Sequence, residues 1–219
     1  MQTVLFHSTI FGPIHSRRLG VSLGVNLTPD DGKICTFDCL YCEAGFNAQG
    51  TGTTGLPPRE TVARLLESRL SAMKAADQPL DVITFSGNGE PTVHPDFHNI
   101  IDDTLHIRDR YYPDAKVSVL SNSTRIDRRE VREALMKVDN NILKLDSAIT
   151  DTIRLIDRPT LSNFTADKVI GELEKFGKDC IIQTMFLRGE HDGNPIDNTT
   201  PREVTALIEA YRRINPREV

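Results

Sequence analysis

The chain has 219 residues, 38% of them hydrophobic and 26% charged, with a net charge of −5, the balance of an ordinary soluble globular domain. A chain of this length buries about 70% of the surface its unfolded form exposes, enough for one sizeable core. No apolar run approaches the ~20 residues that span a bilayer, the start M-Q-T-V-L-F-H-S shows no signal peptide, and the acidic balance argues against a protein that coats nucleic acid through a general basic field.

Residues 20–27 (G-V-S-L-G-V-N-L) alternate small and apolar side chains and read as a strand. The string C-T-F-D-C-L-Y-C follows, and then residues 48–58 (A-Q-G-T-G-T-T-G-L-P-P), which read as a mobile surface loop. Val62, Leu65, Leu66, Leu70 and Met73 recur at helical spacing behind Pro58. Residues 80–85 predict a buried strand, 96–108 a helix, 116–120 a strand, 128–138 a helix and 142–145 a strand. Helical segments at 151–156 and 165–176, a strand at 180–186 and a helix at 201–214 complete the chain. Five strands alternating with helices predict an α/β domain covering residues 1–219, with a parallel sheet and helices outside it. Polar residues collect at the strand C-termini, where parallel α/β folds place their sites.

Cys35, Cys39 and Cys42 lie close together in one short loop. A cubane [4Fe–4S] cluster has four irons and normally takes four thiolates, so a loop offering three leaves one iron open. A disulfide framework suits a short secreted chain rich in cysteine, whereas this chain has four in 219 residues. A zinc site usually shows a second Cys or His pair, and none follows. The loop reads as a cluster site in a reducing compartment, the cytoplasm.

One strand later comes S-G-N-G-E-P-T, residues 86–92. C-x-x-x-C-x-x-C followed by this string resembles the radical S-adenosylmethionine (SAM) superfamily, from about residue 20 to residue 186. The resemblance implies a partial TIM-like (βα)6 barrel with SAM across its open top, its amino and carboxylate groups on the open iron. A sixth strand is then expected after Ile214, so either this barrel has five strands or the chain is cut short before the sixth. Gly87, Asn88, Gly89 and Glu90 match the family's G-G-E-P motif, with Asn88 inserted. The glycines would let backbone approach the ligand, while Glu90 and nearby carbonyls accept hydrogen bonds from the SAM ammonium.

The resemblance places Tyr41 near the adenine, unless it merely anchors the loop at the surface. Asn122 is expected to contact SAM, and Ser123 and Thr124 to cap the next helix. Lys144 and Asp146 share one face of their strand; Asp146 either bonds ribose or substrate, or closes an internal salt bridge with Lys144. Gln183, Thr184 and Arg188 are further pocket candidates, His191 and Asp192 read as loop polars, and Cys180 as a core thiol.

F-G-P-I-H-S-R-R-L-G, with Arg17 and Arg18, and I-D-R-P, with Arg158, resemble strings of a subgroup related to wyosine-type tRNA-modifying enzymes. Close members of that subgroup hold a second cluster, for which this chain has only Cys180 left. The implied activity is reductive cleavage of SAM to methionine and a 5′-deoxyadenosyl radical, which takes hydrogen from a substrate: a tRNA, a protein or a small molecule. The implied partners are an electron donor such as flavodoxin or ferredoxin, and no membrane. The alternatives are a glycyl-radical-enzyme activase and, without a cluster, a zinc-stabilised RNA-binding module.

Overall fold

A computed structural model describes residues 3–219. An open six-stranded sheet runs in the order β1 (Ile10–Ser16), β2 (Gly20–Val25), β3 (Val82–Phe85), β4 (Lys116–Ser121), β5 (Asn140–Lys144) and β6 (Ile181–Gln183). β2 to β6 are parallel, as predicted, and β1 is an antiparallel edge strand that the sequence reading missed. Helices α1 (Arg59–Ala75), α2 (Phe97–Tyr111), α3 (Arg129–Leu135), α4 (Thr150–Ile156) and α5 (Ala166–Leu173) fill the crossovers, and α6 (Pro201–Ile214) follows a small hairpin of β7 (Arg188–His191) and β8 (Asn194–Asp197). Beyond α6, Glu218 makes one isolated parallel bridge to Ile181, which falls short of the expected sixth parallel strand. The result is an open, partial barrel.

Alternation separates the two faces of this sheet. Leu23, Val25, Ile83, Phe85, Val117, Val119, Leu143 and Ile182 point outward and are buried with Leu66, Leu70, Phe97, Ile101 and Leu135 of the helices in one core. Phe85 meets Phe97 edge-on, with ring centroids 6.4 Å apart; truncating such a ring to Ala costs about 3–5 kcal/mol. The opposite, concave face is largely polar: Ser22 bonds Thr84 at 2.8 Å and Asn140 bonds Ser118 at 2.9 Å. A cavity of about 1020 Å³ lies along it, lined in part by Leu120, Ile142, Gln183 and Phe186, with Arg17 and Arg18 at its N-terminal end. No described helix is long and apolar enough to cross a membrane.

Boundaries moved where tertiary bonds compete with propensity. The strand expected at 180–186 stops at Gln183, because Thr184 turns its hydroxyl to the Leu145 carbonyl and the Tyr211 hydroxyl. Residues 188–197, where His191 and Asp192 read as loop polars, form the hairpin around Asp192 and Gly193, both at positive φ.

Candidate cluster and cofactor site

The cysteine loop leaves β2 at the C-terminal end of the sheet and is clamped from two sides. On one side the segment 156–160 runs alongside it: Asp38 N–H donates to Asp157 O at 2.8 Å, Leu40 N–H to Ile156 O at 2.9 Å, and Thr160 N–H to Thr36 O at 2.9 Å. Arg158 seals this seam, donating at 2.7 Å to both the Asp38 carbonyl and its carboxylate. On the other side Ile34 bridges Gly89, and Lys33, 3% exposed, donates to Gly45 O at 2.7 Å to close the loop on itself. The I-D-R-P arginine is therefore spent holding the cluster loop.

All four cysteines are free thiols. Burial, with Glu90 nearby, pushes the Cys35 thiol up to about 11, and burial with Asp157 pushes Cys39 far above its ordinary range. Such thiols stay protonated at neutral pH unless a cation sits among them; bound iron supplies that charge. Cys35 Sγ also accepts N–H groups from Phe37 at 3.4 Å and from the Asn122 side chain at 3.5 Å, the donors a cluster sulfur uses. Among the described residues no three His, Cys, Asp or Glu gather as one ion requires, whereas the thiolates of a cubane sit on separate irons. The donor set fits an iron–sulfur cluster.

The G-N-G-E-P residues hold protein rather than open space. A Cβ on Gly87 would collide with the Asn26 amide, and one on Gly89 with the Ile34 carbonyl, so both glycines permit close packing of the loops around them. Asn88 is fully buried, bonding Phe6 N at 2.8 Å, Phe6 O at 2.9 Å and Pro29 O at 2.9 Å, so its side-chain amide ties down the N-terminal segment. Glu90, 2% exposed, accepts from Thr92 N, Thr92 Oγ1, Ser121 Oγ and Asn122 N at 2.6–3.1 Å. Burial raises its pKa against the pull of those four donors. Its carboxylate joins the end of β3 to the end of β4, a role not expected from the sequence.

Ser123 and Thr124 do not cap a helix. Ser123, at φ +67°, donates to Lys144 O at 3.0 Å, and Thr124 pairs with Asn122 and Thr36, while α3 begins behind Arg128 with no side-chain cap. Arg125, which the sequence reading passed over, has a buried Nε without a partner, and burial lowers its pKa. Its place directly after S-N-S-T, at a strand's C-terminal end, was the available signal.

Tyr41, Lys144, Asp146 and Asp157 form one polar knot, with the two aspartates buried and Tyr41 and Lys144 half-buried. Lys144 Nζ donates to the Tyr41 hydroxyl at 2.6 Å and lies 3.4 Å from Asp146 Oδ2, and that same hydroxyl contacts both Asp146 and Asp157. Asp146 Oδ1 accepts from Met185 N at 2.9 Å. So Asp146 makes the internal salt bridge, and Tyr41 is neither a surface anchor nor aimed at open space. Burial and the neighbouring Asp146 push the Asp157 carboxyl up to about 8. Burial opposes the charge on Lys144, yet Asp146 and Asp157 hold its pKa above the ordinary lysine value. Cys180, fully buried, lies just before β6, at the other end of the sheet.

A sequence profile described as Radical SAM superfamily matches residues 31–214, from the cysteine loop to the end of α6. The chain belongs to the radical SAM superfamily. A protein of Brachyspira hyodysenteriae named GTPase Obg is 32% identical over 216 residues, 96% of this chain but 29% of its own length. The UPF0026 protein MJ1312 of Methanocaldococcus jannaschii is 31% identical over 81% of this chain and 53% of its own length. The chain thus spans well under two thirds of these curated relatives. Among solved structures, a radical SAM methyltransferase from Sphaerobacter thermophilus aligns with a TM-score of 0.63 at 12% identity, covering 90% of this chain and 54% of that one. TYW1 with a lysine-pyruvate adduct bound aligns at 0.56 and 18% identity, covering 88% and 61%. At those identities the likeness is one of fold.

Proposed function

We propose that this chain is the core of a radical SAM enzyme, with a [4Fe–4S] cluster on Cys35, Cys39 and Cys42 and SAM bound over the C-terminal ends of the parallel strands. The observation that carries the reading is the loop itself, three thiols on a backbone clamped by Arg158 and by Gly89, at the end of the sheet where the G-N-G-E-P turn meets β4. When bound, the reduced cluster supplies one electron to the SAM sulfonium, yielding methionine and a 5′-deoxyadenosyl radical that takes hydrogen from substrate. The chain's own residues bind, orient and exclude water.

The half-buried backbone of Ser86 and Gly87 would accept from the SAM ammonium, and Arg125, whose buried Nε has no partner, would meet its carboxylate. The knot of Tyr41, Lys144, Asp146 and Asp157 holds the floor beneath Cys39, and the polar concave face receives substrate. A one-electron donor such as flavodoxin or ferredoxin completes the reaction. The substrate class is a tRNA, a protein or a small molecule; the commitment of Arg158 to Asp38 removes it from phosphate recognition and weakens the tRNA reading.

The test is anaerobic. Protein reconstituted with iron and sulfide, reduced and given SAM, forms 5′-deoxyadenosine, and Cys39→Ala does not. Wild-type protein that takes up no iron, or takes up zinc and leaves SAM intact, overturns the proposal.

A further inference from the structure

We infer that Asn122 is a positioning residue whose side-chain amide sets the reduction potential of the cluster through Cys35, a reading that rests on the cluster site proposed above. The Asn122 Nδ2 group has two hydrogens to donate. One goes to Thr36 Oγ1 at 2.9 Å and the other reaches Cys35 Sγ at 3.5 Å. Which end of the amide faces the sulfur is decided by Thr124. Its backbone N–H can only donate, and it meets Asn122 Oδ1 at 3.1 Å, with the Thr124 hydroxyl at 2.7 Å on the same oxygen. The NH₂ end must therefore point at Cys35. The backbone is pinned as well, since Asn122 N–H donates to Glu90 Oε2 at 2.6 Å.

With the residue only 7% exposed and both ends of its amide engaged, Asn122 is a fixed dipole. Glu90 and Thr124 hold it, and its positive end rests on a cluster-ligand sulfur. Reduction adds one electron from an external donor to the cluster and makes or breaks no bond at Asn122. The added negative charge spreads onto the ligating sulfurs, so an N–H donor there favours the reduced form and raises the potential. The Glu–Asn pairing across β3 and β4 thus acts on the electron-accepting step through Cys35.

The experiment is an EPR-monitored potentiometric titration of the reconstituted protein. Asn122→Ala keeps the cluster but shifts it toward the oxidised form. At a fixed potential the reduced-to-oxidised ratio falls about tenfold, equivalent to about 59 mV for a one-electron couple. Thr124→Val removes the hydroxyl from Asn122 Oδ1 and from Thr36 while leaving the N–H on the sulfur, and keeps the ratio within about twofold of wild type. A purely structural Asn122 would leave the potential of its Ala variant unchanged, which overturns the inference. Wild-type protein carrying ¹⁵N in its asparagine side-chain amides also gives a pulsed-EPR nitrogen coupling to the reduced cluster. Its absence overturns the inference even if Asn122→Ala fails to fold. A wild type that binds no cluster instead overturns the parent proposal, before Asn122 is in question.

Discussion

Replacing Glu90 by Gln separates a structural carboxylate from a SAM ligand. In the fold, Oε1 accepts from Thr92 N at 3.1 Å, Thr92 Oγ1 at 2.6 Å and Ser121 Oγ at 2.9 Å, while Oε2 accepts from Asn122 N at 2.6 Å. A glutamine keeps its oxygen on the three-donor side and must then present NH₂ to the Asn122 N–H. One bond to a charged acceptor, worth about 1.5–3 kcal/mol, is lost, and two buried donors face each other without an acceptor. The remaining three bonds weaken as the charge disappears, partly offset by no longer burying a carboxylate. The net cost is about 3 kcal/mol, a large share of the roughly 5–15 kcal/mol that holds a domain folded. At about 2–4 °C per kcal/mol for a chain of this size, Tm falls by about 6–12 °C. Urea unfolding of the metal-free protein, with Tm by circular dichroism, measures it. A loss below about 1 kcal/mol, together with weakened SAM binding by the reconstituted protein, would refute this account and restore Glu90 to direct contact with SAM.

Gly89→Ala drives a Cβ into the Ile34 carbonyl, which also accepts the Glu90 N–H at 3.0 Å, so it costs about 1–3 kcal/mol in urea and lowers iron content after reconstitution. Gly171→Ala in α5 meets no atom within 4 Å and stabilises by about 0.5–1 kcal/mol, the control that isolates the collision from backbone entropy. The Asp157 carboxyl, at about 8 against an ordinary 3.8, keeps a proton in the folded metal-free chain that the unfolded chain gives up. Its contribution to stability is full below the ordinary value and is lost as pH rises through about 8. Asp157→Asn therefore flattens the decline in urea midpoint between pH 5 and 8.5, and an unchanged slope counts against the assignment.

The parallel alternation and the cysteine loop were legible because each is a local pattern: period two in G-V-S-L-G-V, helical spacing from Val62 to Met73, three thiols within eight residues. The β7–β8 hairpin was also signalled, by Asp192-Gly193 in a pair of positive-φ positions, but its strands carry no apolar alternation to prompt the reading. β1 was hidden for a related reason: Gly12 and Pro13 interrupt it at the register shift between Phe11 and Ile14, and its exposed face shows no buried stripe. What no string could reveal was the direction in which the site residues turn. Asn88 is spent on Phe6, 82 positions earlier, and Glu90 on Asn122, 32 positions later. A motif names the residue types gathered at the strand ends, but each polar atom has one partner to choose, and distant backbone decides among them. For Glu90 the choice falls on protein, and its carboxylate becomes the brace that aims Asn122 at Cys35.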